Sequence, residues 1–263
     1  MRFNKALMCS AVVVAAFGSA QAQAAGPTLS DVLGNSGITA SGHVSAGYDH
    51  NFNNELDGGD RIQWRAFDGT DDSFHLNQAA LNLGYQHSNG VGAFASVMYG
   101  EDAQDINASY GDSSSKFSLV QGYLSKTHGA FTVIGGRYTT LAGAEVIADP
   151  ANTNISRSLL FMLAEPFVHT GIRSSYKFSD QVTAYLGVAN SAVSGAADDN
   201  NQQKTIEVGL STTPSSNSAL GVYYYDGVED DNGNGQSLSV SYLDVVGSLQ
   251  VTPALQLVLN YDM

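Results

Sequence analysis

The chain has 263 residues, of which 43% are hydrophobic and only 14% charged, with 28 glycines and a formal net charge of −14. A soluble domain carries about 25% charged residues, so something other than surface charge must match this exterior to its surroundings. An excess of 25 acidic over 11 basic residues argues against binding nucleic acid through its phosphates, and one cysteine, Cys9, leaves the rest of the chain without thiolate chemistry or a cysteine metal centre.

Arg2 and Lys5 precede an apolar stretch, Ala6 to Phe17, and two overlapping small-residue sites, Ala20-Gln21-Ala22 and Ala22-Gln23-Ala24. Charge, short apolar core and small-residue exit follow in the order of a secretory signal. The apolar part is shorter than the roughly 20 residues of a spanning helix. Residues 1–24 are therefore expected to be a signal peptide, with cleavage after Ala22, Ala24 or Ala25; a retained anchor is the alternative. Residues 25–263 would then form one exported domain, free of thiols as suits an oxidising periplasm. Past residue 24 no run approaches 18 apolar residues, so no transmembrane helix is expected.

From Ile38 onward, hydrophobicity alternates with period two, which places neighbouring side chains on opposite faces of a strand. Ile38, Ala40, Val44 and Ala46 oppose Thr39, Ser41, His43 and Ser45. Val182, Ala184, Leu186 and Val188 oppose Thr183, Tyr185 and Gly187, and Ile206, Val208 and Leu210 oppose Thr205, Glu207 and Gly209. Leu255, Leu257, Leu259 and Tyr261 make the last such face. Eleven strands are predicted, at 38–49, 73–86, 91–100, 116–126, 130–139, 169–178, 181–190, 204–213, 219–226, 237–251 and 254–262. No helix of similar length is predicted.

Short turns (Ser88-Asn89-Gly90, Ser179-Asp180, Thr213 to Ser218) alternate with long, polar, acidic connections at Asn51–Asp72, Glu101–Ser115, Ala192–Gln203 and Asp226–Gln236. Turns at one end and long loops at the other mark an antiparallel meander closed into an outer-membrane β-barrel. Tyr48, Phe74, Tyr85, Tyr99, Phe117, Tyr138, Tyr176, Phe178 and Tyr261 fall near strand ends, where aromatic girdles sit. The stretch Phe74 to Leu81 echoes Phe117 to Leu124, 43 residues later, so the repeating unit is a hairpin with its outer loop. In the first copy the apolar phase switches from Phe74 and Leu76 to Ala79 and Leu81, which predicts a bulge near Asn77-Gln78. Single-chain bacterial barrels have an even number of strands. Eleven strands, and an end at Tyr261-Asp262-Met263 without a terminal aromatic residue, predict that closing strands are missing.

Thr140 to Val168 breaks the hairpin rhythm. It mixes Leu159-Leu160-Phe161-Met162-Leu163 with Glu145, Asp149, Arg157 and Glu165, and so is expected to fold into the barrel, apolar side to the wall. Because charged constrictions set selectivity in channels, Glu145, Arg157 and Glu165 are candidates for one side of a pore constriction. Arg137, Arg173 and Lys177 are candidate charges of the facing lumen wall. A plug, or an external loop packed on its neighbours, is the alternative.

Asp230-Asp231-Asn232-Gly233-Asn234-Gly235 opens like a calcium loop, but its twelfth position is Ser241 and its flanks are strands, so a plain hairpin loop is expected and no metal site is assigned. The acidic runs Asp68–Asp72 and Glu101–Asp105 could bridge to lipopolysaccharide through divalent cations, or be solvated loops. No catalytic set emerges: His43, His50, His75, His87, His128 and His169 are not accompanied by a G-x-S-x-G elbow. No cofactor is expected.

Gly26-Pro27-Thr28-Leu29-Ser30-Asp31-Val32-Leu33, Leu141 to Ile147, Asn152 to Ser158, Phe161 and Pro166 to Gly171 resemble the β-barrel porin family of OmpL type from proteobacterial outer membranes. The resemblance implies a water-filled barrel passing small hydrophilic solutes, with outer-membrane lipid and lipopolysaccharide around it and a homotrimer as a possible assembly. The expected function is a passive diffusion channel; a closed structural or adhesive barrel is the alternative, and a secreted soluble β-sandwich a weaker one.

Overall fold

The computed structural model describes residues 34, 36–52, 67, 72–108, 112–192, 202–230 and 237–263. The expected signal peptide, the acidic run at 68–71 and the calcium-like loop beyond residue 230 lie outside the described residues.

Eleven strands form: β1 Ile38–Asp49, β2 Ser73–Gln86, β3 Val91–Tyr99, β4 Phe117–His128, β5 Phe131–Thr139, β6 Val168–Lys177, β7 Val182–Ala189, β8 Thr205–Ser215, β9 Ser218–Asp230, β10 Ser237–Thr252 and β11 Leu255–Asp262. They make one antiparallel sheet in sequence order, from β1 at one edge to β11 at the other. No pairing joins the two edges among the described residues, so the sheet is open. The turns 87–90, 129–130, 178–181, 216–217 and 253–254 share one end, and the strand ends at Asp49, Tyr99, Thr139, Ala189 and Asp230, which lead into the longer connections, share the other. A meander follows because tight turns pair each strand with its chain neighbour. Gly90 shows what such a turn demands: its φ is +86°, and a Cβ there would strike the Thr127 carbonyl.

The two faces are inverted relative to a soluble sandwich, which packs its apolar face inward. On β8, Thr205, Glu207 and Gly209 are buried, while Ile206, Val208 and Leu210 stand 44–49% exposed between them. Ser45, Gln78, Ser96, Arg173 and Asp244 are buried on the inner face, and Leu81, Leu119, Ile172, Leu186, Leu257 and Leu259 are exposed on the outer one. Exposed aromatic residues mark two levels: Phe74, Tyr99, Phe117 and Tyr261 near the loop end, Tyr85, Phe131, Tyr176 and Phe178 near the turn end. Phe74 and Tyr85 are eleven residues apart on β2. At about 3.3 Å per residue and a tilt of about 45° this is a rise of roughly 25 Å, the height of the apolar band of an outer-membrane barrel. Tyr138 departs from the expected girdle. It is 1% exposed on the inner face, where its ring lies under the Arg173 guanidinium, 4.2 Å from the centroid.

The expected bulge is present. Ser45 pairs Gln78 and Ala46 pairs Leu76, leaving Asn77 as the extra residue. Ser96 pairs Gln121 and Val97 pairs Leu119, leaving Val120. Asn77 and Val120 are 43 residues apart, so the internal repeat reproduces the bulge itself. Each bulge keeps apolar residues outward on both sides of it and turns a glutamine inward.

The loop at 101–115 differs from expectation. Glu101–Ala108 forms a helix, α1, with Asp102, Ala103 and Ile106 buried; their i, i+1, i+4 spacing puts them on one face. Phe67, Met98, Ala103, Ile106, Val120, Ile147, Phe161 and Val168 form an apolar cluster there. In the 140–167 connection a 3-10 turn spans Asp149–Ala151 and a short helix, α2, spans Leu159–Leu163, capped by Ser158, whose hydroxyl accepts from the Phe161 N–H. The apolar run is not uniformly buried: Phe161 is, but Leu159 and Leu163 are exposed.

Candidate functional site: the inner face and its 140–167 segment

The 140–167 segment lies along the inner face and reaches both halves of the sheet. The Asp149 N–H donates to Gln78 Oε1 on β2 (3.2 Å), the Leu141 N–H to the Tyr225 hydroxyl on β9 (3.1 Å), and the Ala144 N–H to Asn260 Oδ1 on β11 (2.6 Å). One segment can touch β2 and β11 only if the intervening strands curl around it.

At the β2 side the anchor is Arg157, 1% exposed. Its Nη2 lies 2.7 Å from Asp149 Oδ1 and its Nη1 3.3 Å from Asp102 Oδ2. Its nitrogens also donate to the carbonyls of Ile155 (2.9 Å) and Ile147. Phe67 covers the guanidinium at 4.7 Å. Gln78, fully buried, has its amide nitrogen 2.6 Å from Asp102 Oδ2 and 2.7 Å from the Ile147 carbonyl, and its Oε1 2.6 Å from His43 Nε2. Burial pushes the Asp102 carboxyl well above the usual carboxylate range, against the pull of Arg157, and Asp149 adds to the rise.

At the β9–β11 side the chemistry differs. Asn260 donates to Asp244 Oδ1 (3.0 Å) and Asp262 Oδ1 (2.8 Å), and the Gly143 N–H bonds Asp244. Glu165, 7% exposed, packs its carboxyl against Gly143 so closely that a Cβ there would fall on it. Glu165 Oε2 is buried without a hydrogen-bond partner, and Asp262 lies within side-chain hydrogen-bonding reach of Asp244 and of the Tyr242 hydroxyl. Burial first, then Asp262, Asp244 and Glu145, push the Glu165 carboxyl up to about 8.

The wall between holds a third group. Arg173 grips Glu207 with two bonds of 2.9 Å and donates to the Thr139 carbonyl (3.0 Å). His169 Nε2 lies 3.8 Å from Glu207 Oε1, and its ring stacks on Tyr225 at 5.0 Å. A cavity of about 230 Å³ remains between the segment and β1–β5, where His43, Asn82, Phe94, Ser96, Gln121 and Glu145 meet.

The six charges expected to face one another across a constriction are not gathered into one ring. Arg157 is enclosed by Asp102 and Asp149 and does not line the cavity, because a buried guanidinium takes the nearest carboxylates. Glu145 lines the cavity and accepts from the Ser158 N–H and hydroxyl. Glu165 sits against β10 and β11. Arg173 is on the inner wall. Lys177 shares its phase but is exposed at the turn end, 2.8 Å from Asp180. Arg137 is corrected outright: Tyr138 pairs His169 and Ile134 pairs Arg173 on the inner face, so Arg137, opposite Thr170, takes the outer phase. Asp102 is likewise neither a solvated loop acid nor free for a cation.

Sequence reasoning did not name Gln78, Asp102, Glu207 or Asp244 among the candidate pore residues. Two signals were available. Glu207 is an acid in the polar phase of a strand with Leu and Val in the other, and Gln78 recurs as Gln121 in the repeat.

A family model described as "Putative beta-barrel porin-2, OmpL-like" matches residues 37–263. Among solved structures the chain is similar to OmpTdeltaL8, a loop L8 deletion mutant of OmpT, an outer membrane protein of Vibrio cholerae. That similarity is 14% in identity and covers 73% of this chain and 75% of that one, with a TM-score of 0.36. A comparison with curated proteins gives no match. The stretch Gly26 to Leu33 precedes the matched region, which takes in all eleven strands and the inward segment. The chain belongs to the OmpL-like β-barrel porin family.

Proposed function

We propose that this chain is a passive diffusion channel for small hydrophilic solutes or ions, exported to the outer membrane, with selectivity set where the 140–167 segment narrows the lumen. The observation that carries this reading is the inversion of the faces: charged Arg173, Glu207, Glu229 and Asp244 point inward, and leucines and valines point outward. In lipid, a mid-depth basic residue on the outer face costs about 2–4 kcal/mol, whereas a wetted lumen accepts charge at little cost. Glu145 on the segment and the Arg173–Glu207 pair on the wall are the groups a passing solute would meet.

Planar-bilayer recording of the full-length protein tests this. Steady conductance steps are expected, and Glu145→Lys should shift the ion preference toward anions. Silent bilayers containing verifiably inserted protein would defeat the reading. One observation favours a closed structural barrel: α1 and the segment bury an apolar cluster around Phe161 and Ile106 inside the sheet. Silent bilayers together with a heat-modifiable, folded band on a detergent gel would select it.

A further inference from the structure

We propose that the contact of the 140–167 segment with β10 and β11 is a proton-held latch: Glu165 docks there as the neutral acid against the buried acids of the wall, and its deprotonation frees this side of the segment while Arg157 keeps the other side tethered. The proposal rests on the channel reading only for its consequence, a lumen whose width follows pH.

The geometry is that of an uncompensated cluster. Glu165 comes from the segment, Asp244 and Tyr242 from β10, Asp262 from β11, and Glu145 from the segment's other limb; Tyr223 on β9 pairs across from Asp244. Among the described residues no ion pair joins Glu165, Asp244 or Asp262 to a cation, and no group of acids there is arranged to hold a metal ion. The Tyr242 hydroxyl, 6% exposed, stands within hydrogen-bonding reach of Asp262 in the same cluster. A buried carboxyl facing other acids with no cation beside it disfavours its ionised form, so Glu165 keeps its proton in the docked arrangement. The hydrogen bonds that dock the segment here, from Gly143 to Asp244 and from Ala144 to Asn260, run through the same side chains. Ionising the cluster therefore strains the dock itself. Burial and the acids around it hold Glu165 up at about 8, so this proton leaves just above neutral pH.

Spin labels on the full-length chain test this, whether or not the barrel conducts. Leu163, exposed on the segment two residues before Glu165, and Leu257, exposed on β11, become cysteines, and Cys9→Ser removes the native thiol. Electron–electron distances are then read in detergent micelles from about pH 4.5 to about pH 9. A single short distance is expected at the acid end. A longer population should grow as pH rises, the ratio changing by at most about tenfold per pH unit for one proton. Glu165→Gln should hold the short distance throughout, and Asp244→Asn should do so in part. A short distance that persists at pH 9 in the native background would overturn the latch, as would an unchanged transition in both variants. Recovery of the short distance at pH 9 by calcium ions would overturn it in favour of a cation bridge. Bilayer recordings then report separately on the channel, so silence there leaves the latch measurement intact.

Discussion

The two anchorages of the 140–167 segment solve one problem in opposite ways. Both bring polar side chains from the sheet against a segment lying on the inner face, away from bulk water. At β2 and α1, Arg157 brings a positive charge between Asp102 and Asp149, and Gln78 ties both to the Ile147 carbonyl. At β10 and β11 three carboxyls and a phenol meet with one amide, Asn260, between them. The first site is compensated by a group that stays charged at any ordinary pH; the second can be compensated only by protons. One side of the segment is thus a fixed post and the other a catch that responds to the medium.

Breaking the fixed post should have the largest effect. Arg157→Ala leaves Asp102 and Asp149 buried together without their cation and is expected to cost about 3–5 kcal/mol, read as a lower urea midpoint of the refolded barrel. Arg157→Lys should recover only part of that, since an ammonium cannot span both carboxylates and the Ile147 carbonyl as a planar fork does. An Ala variant as stable as the native chain would remove the distinction between the two sides.

The acidic catch should respond with the opposite sign. Glu165 binds its proton more tightly when docked than when free. Docking is therefore fully supported below the ordinary carboxylate range, near pH 4.5, and is lost as pH rises through about 8. Glu165→Gln should leave stability unchanged at pH 4.5 and raise it by about 1–3 kcal/mol at pH 8.5, making the urea midpoint flat with pH. Gly143→Ala should be smaller still and destabilising, about 1–2 kcal/mol. Its φ of +90° disfavours a Cβ, and that Cβ would push the Glu165 carboxyl out of place. The pH dependence of the midpoint should weaken with it. Lys177→Ala, at an exposed pair on the turn end, should change neither midpoint nor pH profile; an effect there would point to charges beyond the two anchorages.

Some of this was legible in the chain. The alternation of Ile206, Val208 and Leu210 with Thr205, Glu207 and Gly209 specifies both the strand and its inverted burial, because period two separates faces without reference to any partner. The slip in phase between Leu76 and Ala79 specified the bulge near Asn77-Gln78, whereas the second bulge, at Val120, emerged only with the pairing of β3 and β4. The α1 helix escaped because eight residues with a weak apolar face look like a polar loop until Met98 and Val120 are there to pack on Ile106. Arg137 was misplaced for a related reason. Alternation gives relative phase within a strand, and only the pairing of Tyr138 with His169 fixes which phase of β5 is inward.

The sequence by itself determined a meander of eleven strands with oily and polar faces, and an interrupted rhythm at 140–167. Those features depend on local periodicity and on turn residues a few positions apart. Tertiary structure alone decided that Arg157 meets Asp102 across 55 residues, that Arg173 grips Glu207 across 34, and that Glu165 meets Asp244 and Asp262. Such pairings depend on strand register and on the curl of the sheet, and no local spacing encodes which buried charge a long side chain will find.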